Sequence, residues 1–137
     1  MTAKEYLGQA YRLDQRINSK LEQVMSLRDL ATKATSTLSD VAPSGTRNVH
    51  RMEDIIVKIV DLENEINRDI DNLVDLKREM VSVIKAVTDP EQQTILELRY
   101  LCFKSWEQIA VDMNYSIQHV YRLRDRAYEE IVPPDKR

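Results

Sequence analysis

The sequence predicts an all-α protein: a long, coiled-coil-like antiparallel helical hairpin over residues 1–88, then a C-terminal helix-turn-helix over residues 89–137. Three observations lead there. Glycine and proline are scarce, two and four in 137 residues, too few for the many tight turns of an all-β chain. Apolar residues recur at three- and four-residue spacing through two long stretches. The last third carries caps and a turn residue at the offsets that two crossing helices need.

The first helix is expected over residues 2–38. Thr2 and Glu5 stand at capping-box spacing, so the hydroxyl can accept from the Glu5 amide while the carboxylate reaches back. Leu13, Ile17, Leu21, Val24, Leu27, Ala31, Ala34 and Leu38 follow three or four apart as one stripe. Gly8 weakens the first turns. The stretch Ser39 to His50, "SDVAPSGTRNVH", has turn composition and no stripe, and it predicts the link between the helices. A second helix, Arg47 to Val87, has the clearest heptad pattern. Met52, Ile59, Ile66, Leu73, Met80 and Val87 recur every seven residues, with Ile55, Leu62, Leu76 and Val83 three later and Ile56, Ile70 and Ile84 four later. Asp69 is the one charge among the three-later positions.

Two such helices joined by a short link fold back as an antiparallel pair. The apolar face of the second is wider than a two-stranded seam, which predicts a homodimer or higher homo-oligomer formed through the hairpin. The alternative is a self-contained hairpin packed on the C-terminal helices.

In "TDPEQQ", Thr88 or Asp89 can cap, Pro90 suits the first helical position and Glu91 complements the dipole. A helix from Pro90 to Leu101 follows. Ser105 then caps a short helix to Met113, and Ser116 caps a last one to about Ile131, stopped by Pro133 and Pro134. Ala110 is the small residue where the two helices cross, and Ile109, Met113, Val120 and Leu123 fill the interior. Asn114 stands where the turn needs a left-handed residue, a role asparagine fills best after glycine. Tyr115 takes the turn position usually held by a buried apolar side chain, and Trp106 packs the pair together.

On the last helix Val120, Leu123, Ala127 and Ile131 share the buried side, so Gln118, Arg122 and Asp125 face outward. Gln118 and Arg122, near the helix start, suit bidentate contacts to adenine and guanine edges. Ser116, Lys104, His119 and Arg126 suit phosphate contacts, which position without specifying. The plainer alternative is a solvated face on which Arg122 and Arg126 pair with Asp125 and Glu129. Charge gives no further support: the net charge is −3, and residues 89–137 hold nine acidic against seven basic side chains.

Other classes fall away. His50 and His119 lie far apart and no Cys/His spacing suits a metal, so no metal site, cofactor or enzymatic activity is predicted. Two isolated glycines make no phosphate loop. The single Cys102, beside Phe103, is expected as a partly buried hydrophobe, and its solitude fits a reducing, cytoplasmic setting. No apolar run reaches membrane-spanning length, and the first residues lack a signal-peptide core.

From Ile95 to Ile131, "ILELRYLCFKSWEQIAVDMNYSIQHVYRLRDRAYEEI" resembles region 4 of the sigma-70 family. That resemblance implies that Ile117, Gln118, Tyr121 and Arg122 occupy the positions that face DNA bases. Ile117 and Tyr121 depart from it, standing where sigma factors usually place basic residues. The whole chain is similar in architecture to small sigma-region-4-like proteins of Gram-positive prophages and mobile elements, including phage regulators of the ArpU and RinA type. The resemblance implies a DNA-binding transcriptional regulator acting at promoters of late genes. Its partners would be double-stranded DNA and, as a second candidate, host RNA polymerase. Two rivals have other chemistry: a small-terminase-like packaging component, which would form rings, and an interaction module that acts on polymerase without binding DNA.

Overall fold

The computed structural model describes residues 1–40 and 45–136, with side chains for residues 1–34 and 49–135. The described residues are helical, with no strand among them. In order they form α1 (Ala3–Leu7), α2 (Gln9–Asp40), α3 (Gly45–Lys85), α4 (Pro90–Tyr100), α5 (Trp106–Met113), α6 (Ile117–Glu130) and a 3₁₀ turn, Pro134–Lys136. No helix among them is long and apolar enough to cross a membrane. The chain forms two compact units, residues 15–72 and residues 1–14 with 73–137, so the boundary expected at 88/89 lies inside the second of these.

Local chemistry sets the element ends. Thr2 and Glu5 form the reciprocal capping box. The first helix is divided at Gly8, where an added Cβ would stand 3.1 Å from the Lys4 carbonyl and 3.3 Å from the Arg12 guanidinium. The expected link between the long helices narrows: α2 continues to Asp40 and α3 begins at Gly45, leaving residues 41–44 outside the described set. At its far end α3 stops at Lys85, two residues short of Val87, as Ala86 and Val87 donate to the Val83 and Ile84 carbonyls in a tightened last turn. Asp89, not Thr88, caps α4, its carboxylate accepting from Glu91 N at 2.9 Å with Pro90 at the first position.

In the unit of residues 15–72, α2 and α3 pair antiparallel. Lys20 meets Asp69 at 2.6 Å, and Arg28 meets Glu63 at 2.7 Å further along. The covered positions on α2 are Ile17, Lys20, Val24, Leu27 and Ala31. They keep the 3.5-residue spacing of Met52, Ile55, Ile59, Leu62, Ile66 and Asp69 on α3. Leu21 therefore leaves the seam and is exposed, because strict heptad spacing puts Lys20 in its place. The lone charge on α3 thus has its partner in the lone charge on α2, each side chain only 15% exposed.

In the other unit the core is Leu7, Met80, Val83, Ile84, Val87, Ile95, Leu96, Ile109 and Val120, all fully buried. Tyr6 donates to Glu79 at 2.7 Å, and Lys77 donates to the Leu101 carbonyl at 3.1 Å, so the ends of the long helices are tied to the short ones. Phe103 takes φ 61°, a left-handed turn the sequence did not announce. Its ring is held by Lys77, 4.7 Å from the centroid, and edge-on by Tyr11. Cys102 is exposed, contrary to the partly buried placement expected: the turn after α4 points Phe103 inward in its stead. The Tyr100 and Tyr128 hydroxyls hydrogen-bond each other between α4 and α6.

Two outcomes follow. Asp69→Ala strands Lys20 in the seam and is expected to cost about 2–4 kcal/mol in urea unfolding, while Lys20→Leu/Asp69→Leu together recovers most of that loss. A single-variant cost under about 0.5 kcal/mol, within surface-substitution range, would remove the pair from any stabilising role. Burial pushes both Tyr100 and Tyr128 above the ordinary tyrosine value, and the bond to Tyr128 pushes Tyr100 further. Their contribution is therefore complete below about pH 10 and is lost as pH climbs from there toward the raised folded values. Helicity should fall before all six tyrosines have ionised in an absorbance titration. Full ionisation of an intact helical protein near pH 10 would contradict the buried pair.

Candidate nucleic-acid interface

α5 and α6 are fixed to each other by caps at both ends of a four-residue-scale turn. Ser105 Oγ accepts from Gln108 N at 3.1 Å to start α5. Asn114 ends it at φ 59°, ψ 43°, with its own amide on the Val111 carbonyl and the Tyr115 amide on Ala110. Ser116 Oγ accepts from His119 N at 3.1 Å and starts α6. Ile95, Ile109, Ala110, Val120 and Leu123 form the buried cluster beneath, with Leu98, Trp106, Met113, Tyr115 and Ile117 packed around it. Ala110 is small where α5 approaches α6, and α4 also packs on α6, so two helices hold the last one.

The outer side of α6 presents Ser116, Gln118, Arg122 and Arg126, all exposed. Among the described residues Gln118, Arg122 and Arg126 enter no hydrogen bond or ion pair. Of the carboxylates that could pair with these arginines in an ordinary solvated face, Asp125 is engaged elsewhere, while Glu129 is exposed on the same side and forms no ion pair with either. Asp125 is bound by Arg124 Nε at 2.9 Å, and Glu130 accepts from the Thr88 amide and hydroxyl at 2.9 and 3.0 Å.

The remaining candidates are placed differently. Ile117 is half-buried against the core, so its side chain belongs chiefly to packing. Tyr121 is half-buried with the Arg124 guanidinium 4.6 Å from its ring centre. His119 stands edge-on to Tyr115 at 4.8 Å. Lys104 is bound to Asp112 at 2.7 Å, and Gln108 donates to the other oxygen of that carboxylate. The hydrogen bond Lys104 donates to Asp112 holds its proton more tightly than usual, and the bonds from Lys104 and then Gln108 hold the Asp112 carboxyl below its ordinary value. A phosphate approaching Lys104 must therefore compete with Asp112.

Arg124 and Asp112 were not among the candidates read from the sequence. Arg124 lies three residues after Tyr121, a spacing that puts the two side chains on one helix face and could have flagged the stacking. Arg124 also reaches over Trp106, 5.7 Å from its centre, where Arg99 sits at 5.4 Å. These two arginines clamp the aromatic side chain rather than face outward. Among the described residues no group of His, Cys, Asp and Glu is arranged to hold a metal ion.

Residues 32–132, about three quarters of the chain, match the family described as "Protein of unknown function (DUF1492)", and the chain belongs to that family. No curated protein and no solved structure matches it.

The turn makes its own prediction. Asn114→Ala forces a Cβ-branched-free but still chiral residue into the left-handed region without the asparagine side chain that tolerates it, and should cost about 1 kcal/mol. Asn114→Gly should be neutral within a few tenths. Equal losses from both, in thermal or urea unfolding, would mean that the side chain and not the backbone angle matters here.

Proposed function

We propose that this protein is a DNA-binding transcriptional regulator of a phage or mobile element, working in the cytoplasm as a homodimer or higher homo-oligomer at promoters of late genes. The observation that carries the DNA-binding reading is the pairing of Gln118 and Arg122. They are exposed one turn apart near the start of α6, free of polar partners, on a helix anchored by two others. A B-DNA major groove admits one α-helix, and a glutamine and an arginine at that spacing suit an adenine and a guanine edge. Arg126, one turn further, suits a phosphate, as do the Ser116 hydroxyl and the amides at the start of α6.

Charge placement supports this better than charge sum. Asp112, Asp125 and Glu130 are each held by a donor within the chain, while among the described residues Arg122 and Arg126 have none; Glu129, on the same side of α6, is likewise free. Ile117 and Tyr121 add packing and ring surface rather than positive charge, so the affinity per site is modest and a second copy adds what one lacks. The transcriptional and phage assignments rest on the resemblance to sigma region 4 over residues 95–131, and host RNA polymerase is the second partner on the same ground.

The test is selection of bound fragments from the source genome by wild type and by Gln118→Ala/Arg122→Ala. A defined site enriched by wild type and lost in the double variant is expected, with each base contact contributing about 1–3 kcal/mol of discrimination. Arg126→Ala should weaken binding alike across sequences and lower the salt slope by about one. A folded wild type that enriches nothing, even at low salt, would defeat DNA reading and leave polymerase as the partner to try.

A further inference from the structure

We propose that one flank of the α2–α3 pair in residues 15–72 is a two-fold interface with a second copy of this chain, closing the two hairpins into a four-helix bundle. The inference rests on the oligomeric part of the reading above and names the surface that serves it; it does not require DNA binding.

The two flanks of the seam differ in chemistry. On one, a groove is lined by Ser19, Gln23 and Ser26 from α2 and Lys58 and Asp61 from α3. On the other, Leu21 and Met25 face Asn67 and Ile70 across a groove floored by Val24 and Ile66. Every apolar member of this second flank follows a seam position by one or two further turns, and Ile56 and Val60 continue it along α3. All are open to solvent: Leu21 44%, Met25 66%, Ile56 50%, Val60 49% and Ile70 41% exposed. A cluster of exposed apolar side chains on one flank of the hairpin, interrupted by Arg28, Glu63 and Asn67, marks an association surface. Two of the three extra heptad positions noted in the sequence, Ile56 and Ile70, lie in this strip, while the third, Ile84, is buried in the other unit's core.

Charge complementarity selects the occupant. Arg28 and Glu63 cross the apolar groove at 2.7 Å, one cation from α2 and one anion from α3 at the same level. A two-fold axis running along the helices lays α2 of one copy over α3 of the other. Each Arg28 then meets the Glu63 of the second copy as well as its own, and four charges alternate in sign. Every neighbouring helix pair is antiparallel in that arrangement, as in up-and-down bundles. An axis across the helices would instead stack Arg28 on Arg28 and Glu63 on Glu63, which like-charge repulsion disfavours. The surface is also large enough. A helix pair about 26 residues long presents roughly 40 Å by 20 Å, or about 800 Å² per copy, the size of a standard stable interface.

Sedimentation equilibrium of the full chain tests the interface. Wild type is expected to be a dimer at micromolar concentration. Met25→Glu/Ile70→Glu should be a monomer with unchanged helicity, both sites being exposed within one chain, and Gln23→Glu/Ser26→Glu on the polar flank should stay dimeric. In a Cys102→Ser background, Leu21→Cys mixed with Ile70→Cys should form a disulfide-linked pair on oxidation. Arg28→Cys linking to itself while the mixture does not would overturn the axis. A monomeric wild type, a larger ring, or a dimer indifferent to Met25→Glu/Ile70→Glu would overturn the interface. A wild-type monomer that still selects a defined DNA site would sink the interface alone, and a dimer that selects none would sink only the DNA reading.

Discussion

Lys20 and Asp69 meet at 2.6 Å inside a seam that is otherwise apolar, and the register of α2 against α3 depends on that meeting. Isoleucine, leucine and valine knobs tolerate a shift of one heptad with little loss, because each finds another apolar hole. A largely covered lysine and aspartate do not, since any other register leaves two charges against hydrocarbon. The pair therefore works less as a source of stability than as a device that excludes alternatives. It also decides which residues are left over. With the seam pinned, Leu21, Met25 and Ile70 are displaced to one flank, and Ser19, Gln23 and Ser26 to the other.

The unit of residues 1–14 with 73–137 is organised by a different economy. Many charged and aromatic side chains on its helices have a partner within the unit. Arg99 and Arg124 enclose Trp106, Lys77 covers Phe103, Lys104 binds Asp112, and Glu130 closes the turn at Thr88. Among the described residues Gln118, Arg122, Arg126 and Glu129 on the outer side of α6 have no such partner. That side presents two exposed arginines together with two exposed carboxylates, Asp125 and Glu129. Formal charge summed over 49 residues averages over positions that a ligand at α6 would meet very unequally, because exposed charges beyond about a Debye length, ~8–10 Å, are largely screened.

Much of this was legible from the residues alone. Capping chemistry is local, so Thr2, Ser105 and Ser116 announced three helix starts correctly, and the left-handed Asn114 followed from the same kind of reasoning. The heptads of α3 were equally plain. What the pattern did not carry was choice of partner. Leu21 and Lys20 fit a stripe of 3.6 and of 3.5 residues almost equally well over two turns, and only the position of Asp69 on the other helix decides between them. Phe103 is a bulky residue at positive φ, for which no local rule speaks; its angle is held by Lys77 and Tyr11, far away in the chain. The exposure of Cys102 is the consequence of that turn. At α6, helical periodicity separated the inner from the outer side. It could not tell that Asp125 would be taken by Arg124 rather than by Arg122 or Arg126.

That last distinction bears on how the face could discriminate among ligands. Had Asp125 bound Arg122, a base edge would first have to break an ion pair, and the cost would offset much of what a bidentate contact returns. With Asp125 turned to Arg124, and Arg124 held in place over Tyr121 and Trp106, the carboxylate is kept close to α6 without occupying Gln118 or Arg122. Were α6 to meet nucleic acid, a fixed negative charge there would repel phosphates from the middle of the helix and leave them to its two ends, Ser116 and Arg126. Such an arrangement favours one docking depth over a range of them. Specificity would then come as much from where α6 is refused as from what Gln118 and Arg122 accept.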